Sequence, residues 1–353
     1  MKKSILAILA IALLFSCNQG KKQNQDLGKS TEDTLMKMAQ SNFKILPDTA
    51  ENPANPLTPA KINLGKVLYF DTRLSKTGKN SCNTCHNLET YGVDNLATSI
   101  GDAGKNGARN SPTVFNAAIQ NMQFWDGRAS DVEEQAGMPI LNPVEMAIPH
   151  KGFLVSRLKS IPLYQELFKA AYPDQKDPIS YENLQKAIGA FERTLLTPSR
   201  FDKYMGGDSN ALTLEEKQGL RTFMTLGCIT CHNGVGIGGG TLQKFGLVTD
   251  FRTYTGSSLT DEGRKQVTGK EQDKDVFKVP ELRNVAGTYP YFHDGRIAKL
   301  DTAVKIMGKT QLNQNLSNSQ IQEIVSFLNS LSGEVSPSAK AYPPELTKNS
   351  EKK

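Results

Sequence analysis

Ser81-Cys82-Asn83-Thr84-Cys85-His86-Asn87 is the stretch on which this chain turns. Cys-x-x-Cys-His is the attachment signature of a c-type haem: two thiols condense with the vinyl groups of the porphyrin, and the adjacent imidazole is held at the iron. The pattern returns as Cys228-Ile229-Thr230-Cys231-His232, 228 − 82 = 146 residues further on. Chance, or a Cys-x-x-Cys zinc or thiol site, is the competing reading. With 5 cysteines and 4 histidines in the chain, one accidental copy is roughly a one-in-a-thousand event and two are far rarer. A zinc site needs four converging ligands, and nothing pairs the two motifs that way. Two covalently bound haems are expected.

The 353 residues suffice for about two domains, each with its own core. Four cysteines belong to the motifs and the fifth is Cys17, so no pair is left for a structural disulfide. Outside the motifs the only histidines are His150 and His293, which limits the sixth ligands available to iron. Residues 1–16 read as a secretory signal, with Lys2-Lys3 ahead of an apolar run from Ile5 to Phe15 that is too short to span a bilayer. Leu14-Phe15-Ser16-Cys17 resembles a bacterial lipoprotein cleavage site, making Cys17 the expected lipid anchor; a plain cleaved signal is the alternative. Either way the chain is exported, and a periplasmic protein tethered through Cys17 is expected. Removing Lys2 and Lys3 takes the formal charge from +6 to +4. Four haem propionates would cancel most of that, so the basic balance gives no reason to expect nucleic acid.

Residues 17–42 are polar and unpatterned, as in a flexible tether, and order is expected from about Phe43. Thr58 and Pro59 open a helix to about Phe70 that buries Ile62, Leu64, Val67 and Leu68. The Gly-, Asn- and Asp-rich segment 92–110 is a long loop over the first haem. Helical periodicity marks 152–171 and 180–196. Pro198 and Gly206-Gly207-Asp208 suggest a boundary between an N-terminal haem domain (43–197) and a C-terminal one (198–333). Thr213-Leu214-Glu215-Glu216 is a capping box opening the helix that delivers Cys228. A last helix covers 318–332, with Ile321, Ile324, Val325 and Leu328 on one face. Residues 334–353 read as a mobile tail, or one draped over the surface. No strand pattern stands out, so a mostly α fold of two cytochrome c-like domains, each carrying one haem, is predicted.

The halves echo each other. Phe124-Trp125-Asp126-Gly127-Arg128 follows the first motif and Phe292-His293-Asp294-Gly295-Arg296 the second, preceded by Pro112…Asn116 and Pro280…Asn284. Duplication explains this better than shared Asp-Gly turn chemistry. The halves are unequal in one respect. Met307 lies 307 − 296 = 11 residues after Arg296, whereas the same offset from Arg128 gives Pro139, which cannot ligate iron. A histidine/methionine haem suits electron transfer, and a haem with a displaceable sixth position suits catalysis. Met205 and Met224 are rivals to Met307, and a plain core role is the bland reading of all three. Peroxide chemistry also needs a group to move a proton between oxygens. Glu133, Glu134, Gln135 and Glu145 follow Trp125 closely. Glu133 and Glu134 read more simply as a solvated helix face; the apolar neighbours Val144 and Met146 make Glu145 the candidate for a raised pKa, and composition alone leaves its catalytic and plain roles both open.

Taken together, the ordered set resembles the bacterial di-haem cytochrome c peroxidases over roughly residues 55–332. It comprises Leu64-Gly65-Lys66…Phe70-Asp71-Thr72-Arg73-Leu74-Ser75, both haem motifs, Arg109-Asn110-Ser111-Pro112-Thr113, Gln123-Phe124-Trp125-Asp126-Gly127-Arg128, Asn142-Pro143-Val144-Glu145-Met146, Phe277-Lys278-Val279-Pro280, Tyr289-Pro290-Tyr291-Phe292-His293-Asp294-Gly295 and Met307-Gly308-Lys309-Thr310. The resemblance implies reduction of H2O2 to water with electrons from a small periplasmic donor, a mono-haem cytochrome c or a cupredoxin. Electrons would arrive at a high-potential His232/Met307 haem and pass by Trp125 to a low-potential peroxidatic His86 haem. Gln135 and Glu145 would lie over the peroxidatic iron, with Glu145 as acid–base catalyst. Asn110 and the carbonyls of Thr288 and Pro290 would bind calcium between the domains, chemistry that suits that ion. A homodimer is the family's common state.

One position departs from the pattern. Well-known members carry a distal histidine in the loop after Ser-Ile-Gly, whereas here Ser99-Ile100-Gly101 is followed by Asp102. The expectation is a high-spin His86 haem that needs no reductive activation, with Asp102 capping the loop, unless His150 swings in to ligate. Two other functions compete: oxidation of a protein side chain, as in relatives that mature the methylamine dehydrogenase cofactor and use tyrosine where Met307 stands, and a non-catalytic di-haem electron carrier.

Overall fold

The computed structural model describes residues 32–258 and 260–347. The signal segment 1–16, Cys17 and the tether up to residue 31 lie outside the described residues. Ten helices carry the fold: α1 (32–42), α2 (Pro59–Phe70), α3 (Val132–Leu141), α4 (Lys151–Lys159), α5 (Pro162–Ala171), α6 (Tyr181–Glu192), α7 (Arg200–Met205), α8 (Leu214–Thr225), α9 (Leu300–Leu312) and α10 (Asn318–Ser330). Long loops and short helical turns join them. A strand pair that periodicity did not reveal, β1 (Leu242–Lys244) and β2 (Val276–Lys278), is antiparallel with Gln243 opposite Phe277. At three residues each, the strands are too short for alternation to register. Among the described residues no helix is long and apolar enough to cross a membrane.

Local chemistry sets the helix ends. The Thr58 side chain accepts from Lys61 N at 3.2 Å, with Pro59 in the first turn of α2. The Thr213 and Glu216 side chains cap α8 reciprocally. The stretch expected as one helix over 152–171 is two, because Pro162 has no N–H to donate and its ring excludes the preceding turn; it opens α5 instead. Phe153 at its start stays exposed. On α10 the buried face is Ile321, Ile324, Phe327 and Leu328, so Phe327 takes the place expected for Val325.

Two cores result. The N-terminal one packs Leu64, Val67 and Leu68 of α2 against Ile140, Leu154, Phe168, Leu184 and Ile188; the C-terminal one packs Phe201, Leu220, Phe223, Ile324, Phe327 and Leu331. Each is built around one helix pair in near-contact. A Cβ on Gly65 of α2 would sit 1.9 Å from the Ala187 carbonyl oxygen of α6, and one on Gly219 of α8 would sit 1.9 Å from that of Glu323 on α10. The echo therefore extends to geometry. Asn116 and Asn284 both adopt left-handed backbone, at φ 57° and 61°. Both donate from Nδ2 to the single Thr197 hydroxyl at 2.8 Å, at the seam between the halves.

The two chain ends correct the expectations. Order begins by residue 32 rather than near Phe43: Leu35, Ala39 and Phe43 form an i, i+4, i+8 stripe buried in the C-terminal core, with the Phe43 ring 5.6 Å from that of Phe201. The polar composition of 17–42 hides that stripe. Residues 334–347 are draped, not mobile, as far as they are described. Val335 and Ala339 are buried with Tyr69 and Phe70, and Lys66 Nζ donates to Ser338 O at 2.6 Å.

Candidate functional site

The first motif lies on a single helical turn, Cys82–Cys85, capped by Ser81 and Thr84. His86 closes it, its N–H donating to Cys82 O at 2.9 Å. The ring is oriented from behind: Nδ1 donates to the Pro112 carbonyl at 3.0 Å, leaving Nε2 free for a metal. Tyr69 Oη donates to the His86 carbonyl at 2.5 Å. Burial lowers the His86 pKa and outweighs the raising effect of Asp94, so the imidazole is neutral, as an iron ligand must be.

The second motif repeats this after Gly227, whose φ of 92° turns the chain out of α8. Burial pulls the His232 pKa down to about 4, and the Pro280 carbonyl lies near the ring as Pro112 does for His86, although His232 Nδ1 makes no hydrogen bond among the described residues. The two prolines are 280 − 112 = 168 residues apart. The four motif cysteines are unbridged. Burial pushes the thiols of Cys85 and Cys228 up to about 11, unlike the depressed pKa of a reactive redox pair. Among the described residues no group of three or more His, Cys, Asp or Glu is arranged to hold a metal ion by itself.

A cavity of about 330 Å³ opens beside the second motif. Cys228, Cys231 and His232 form one wall, Met307 of α9 lies on another, and Phe223, Phe245, Phe277 and Leu328 supply apolar surface. Met205 and Met224 are buried in the C-terminal core instead and do not line it. Thioether-forming cysteines, a neutral imidazole, a methionine sulfur and apolar walls are the fittings of a c-type haem. Asn110, Trp125, Thr288 and Pro290 line the same cavity where the halves meet. Trp125 Nε1 donates to Asn110 O at 2.9 Å, and Asn110 N donates to His293 O at 2.7 Å. Asn110 Nδ2 is turned away to Leu96 O at 2.9 Å. The amide oxygen and the two carbonyls are neutral donors that fit calcium only with added water.

Near the first motif, Glu145 accepts from Asn142 Nδ2 at 2.8 Å. Burial raises its pKa above the ordinary carboxylate value, against the lowering effects of Arg128 and Asn142. It is near enough to Cys85 to contribute to that thiol's upward shift. Gln135 is half-buried on α3; among the described residues no hydrogen bond ties its side chain to Glu145 or Trp125. Asp102 does not aim at the haem motif. Its carboxylate accepts from the Thr77 N–H at 2.9 Å and the Thr77 hydroxyl at 2.8 Å. Burial alone would raise its pKa, but these bonds and others from Ser75 and Lys79 hold it below its usual value. The loop is further fixed by Asn80 Nδ2 on Ile100 O at 3.0 Å and by Asp102 N on Glu145 O at 2.7 Å. His150 is exposed and caps α4, its Nδ1 accepting from Phe153 N at 3.1 Å.

Sequence reasoning missed the proline carbonyls behind both imidazoles, although the Pro…Asn echo was the available signal. It included Arg109 within the resemblance but gave it no role; the guanidinium joins Asp126 at 2.6 Å to Asp261 at 2.7 Å across the seam.

These features define a c-type di-haem protein. The family model for di-haem cytochrome c peroxidases matches residues 59–210. The chain is 46% identical to the cytochrome c551 peroxidase of Nitrosomonas europaea over 83% of this chain and 85% of that one. It is also 46% identical to the cytochrome c551 peroxidase of Pseudomonas aeruginosa, over 85% and 87%. Among solved structures, a MauG-like protein associated with microbial copper homeostasis superposes with a TM-score of 0.75 at 26% identity, covering 85% of this chain and 97% of that one. The chain belongs to the di-haem cytochrome c peroxidase family and is an oxidoreductase of that class.

Proposed function

We propose that this protein reduces H2O2 to two waters with two electrons and two protons, drawing the electrons from a small periplasmic redox protein, a mono-haem cytochrome c or a cupredoxin. The observation that carries the reading is the pairing of unlike sites. One motif faces a cavity with a methionine on its wall, and the other has a half-buried glutamate nearby, with a raised pKa and no histidine tied over it. His232 and Met307 hold the electron-receiving haem, and His86 holds the peroxidatic one; bound haem supplies the iron redox chemistry. Trp125, on the cavity wall between the halves, stands on the path between them. Glu145 takes the proton from the near peroxide oxygen and returns it to the leaving one, with Asn142 fixing its carboxylate and Gln135 orienting the peroxide. Asn110 Oδ1 and the carbonyls of Thr288 and Pro290 hold calcium at the seam.

Asp102 is bound to Thr77 and His150 to its helix, so the His86 site is open in the fully ferric protein and needs no prior reduction. Met307 on the cavity wall speaks against the side-chain-oxidising alternative, which uses tyrosine there. Glu145 in its apolar setting speaks against a simple carrier. Export, a lipid anchor at Cys17 and a homodimer complete the reading. The test is peroxide turnover by fully ferric holoprotein mixed with reduced mono-haem cytochrome c, beside enzyme pre-reduced at one haem. Prompt turnover in both supports the proposal; a lag abolished by pre-reduction removes the open site, and no turnover in either removes the peroxidase. A bis-histidine low-spin ferric EPR signal also contradicts the open site.

A further inference from the structure

Two residues are chemically out of place in the cavity beside His232. Its walls are apolar or neutral, and of all the described residues lining it, Lys278 is the only lysine or arginine and Glu281 the only carboxylate. Both are more than nine-tenths buried, at 4% and 8% exposure. A lysine and a glutamate are almost never that buried without a purpose-built partner. Lys278 Nζ donates to Gln120 Oε1, a neutral acceptor from the other half of the chain. Neither Glu281 oxygen has a hydrogen-bond partner among the described residues; Gln120 and Asn116 approach without bonding it. Lys278 and Glu281 feel each other's charge, with no ion pair between them among the described residues, and the third charge nearby, Arg283, is committed to both oxygens of Asp202 at 2.8 Å. The facing backbone at Gly236 brings no charge.

The expected occupant supplies what is missing. A c-type haem is apolar over most of its surface, joined to Cys228 and Cys231 at its vinyl edge, and carries two carboxylates at the opposite edge. We propose that Lys278 and Glu281 form the seat for a carboxylate of the haem at Cys228 and Cys231, the lysine as its ion-pair partner and the glutamic acid as a hydrogen-bond donor to it. The proposal rests on the haem reading above. Two carboxylates can share the seat only with a proton between them. Burial raises the Glu281 pKa against the lowering effect of Lys278 and so favours the protonated acid; burial lowers that of Lys278 against the raising effect of Glu281, and a further carboxylate at the seat would oppose it more strongly. The seat also lies on the interdomain path, because Lys278 N donates to Trp125 O at 2.6 Å. Reduction adds one electron beside the seat and strengthens its hold on the shared proton. On oxidation that hold relaxes.

The test is spectroelectrochemical titration of the higher-potential haem in holoprotein from pH 6 to 9. Haem count by pyridine haemochrome is the control: a single haem per chain would remove the underlying reading, independently of the seat. Lys278→Met should lower the reduction equilibrium constant at least tenfold, about 59 mV for one electron, because a cation beside the haem is lost. Lys278→Arg should restore most of it. Glu281→Gln keeps a donor but no titratable proton, so its potential should stay near wild type at pH 6 and lose pH dependence towards pH 9. An unchanged potential in Lys278→Met overturns the ion pair. A raised potential in Glu281→Gln at pH 6, or a pH slope equal to wild type, overturns the shared proton. If Glu281→Gln does not fold, the lysine pair of variants still decides the seat.

Discussion

Glu145→Gln isolates the proton step with little structural disturbance. Glutamine is isosteric, and its amide oxygen can still accept from Asn142 Nδ2, which now donates at 2.8 Å. No buried donor is orphaned, and the neutral amide removes the burial cost that raises the Glu145 pKa. Stability should therefore hold or rise. The sign follows from linkage: a carboxyl with a raised folded pKa binds more protons folded than unfolded, so wild type loses stability as pH rises through the window from the unfolded to the folded pKa. The variant lacks that loss. Catalysis is another matter. Without a group to accept and return the proton, kcat should fall by about 10²–10⁴, or about 3–5 kcal/mol on the barrier. In wild type the carboxylate must be ionised to accept the proton. Activity should therefore climb with pH through a pKa above the ordinary glutamate value, and the variant should lose that limb. The assay is stopped-flow reduction of H2O2 by the holoprotein with reduced mono-haem cytochrome c as donor, with haem content and cyanide binding as controls. A loss below tenfold, with both haems in place, would refute Glu145 as the proton-transfer group.

Asp102→Ala leaves the Thr77 donors unpaired and should cost about 1–3 kcal/mol by urea unfolding, with faster amide exchange across 94–107. Because the Asp102 pKa is lowered on folding, its stabilisation should be present above the unfolded value, about 3.9, and be lost as pH falls through the lower folded value. His150→Ala should cost about 0.5–2 kcal/mol as a lost helix cap and leave the ferric EPR spectrum unchanged; a spectral change would mean that His150 reaches the iron. Met307→Ala should abolish the methionine–iron absorption band and lower the potential of one haem only, whereas Met224→Ala should only weaken the core. Phe43→Ala should cost about 3–5 kcal/mol if residues 32–43 belong to the C-terminal core, and almost nothing if they are a tether.

Covalent chemistry and local backbone preference are written in the order of residues, and those parts were legible. Cys-x-x-Cys-His needs its thiols and imidazole within one helical turn, so Cys82, Cys85 and His86 declare themselves. Thr58-Pro59 and Thr213…Glu216 likewise specify helix starts through bonds spanning three residues. What spans the chain was not legible. The helix at 32–42 reads as polar until the C-terminal core takes Leu35, Ala39 and Phe43, because burial depends on a partner surface some 160 residues away. Spacing alone left three candidate methionines; the structure sets Met307 on the cavity wall and sends Met205 and Met224 into the core. The loop-capping role expected of Asp102 holds, through its bonds to Thr77, whereas His150 as a helix cap depends on a hydrogen bond that only the folded backbone presents. The burial of Lys278 and Glu281 in one cavity likewise depends on the fold. Sequence shows two charged residues three apart, and only the tertiary structure takes water away from both and turns them to one cavity.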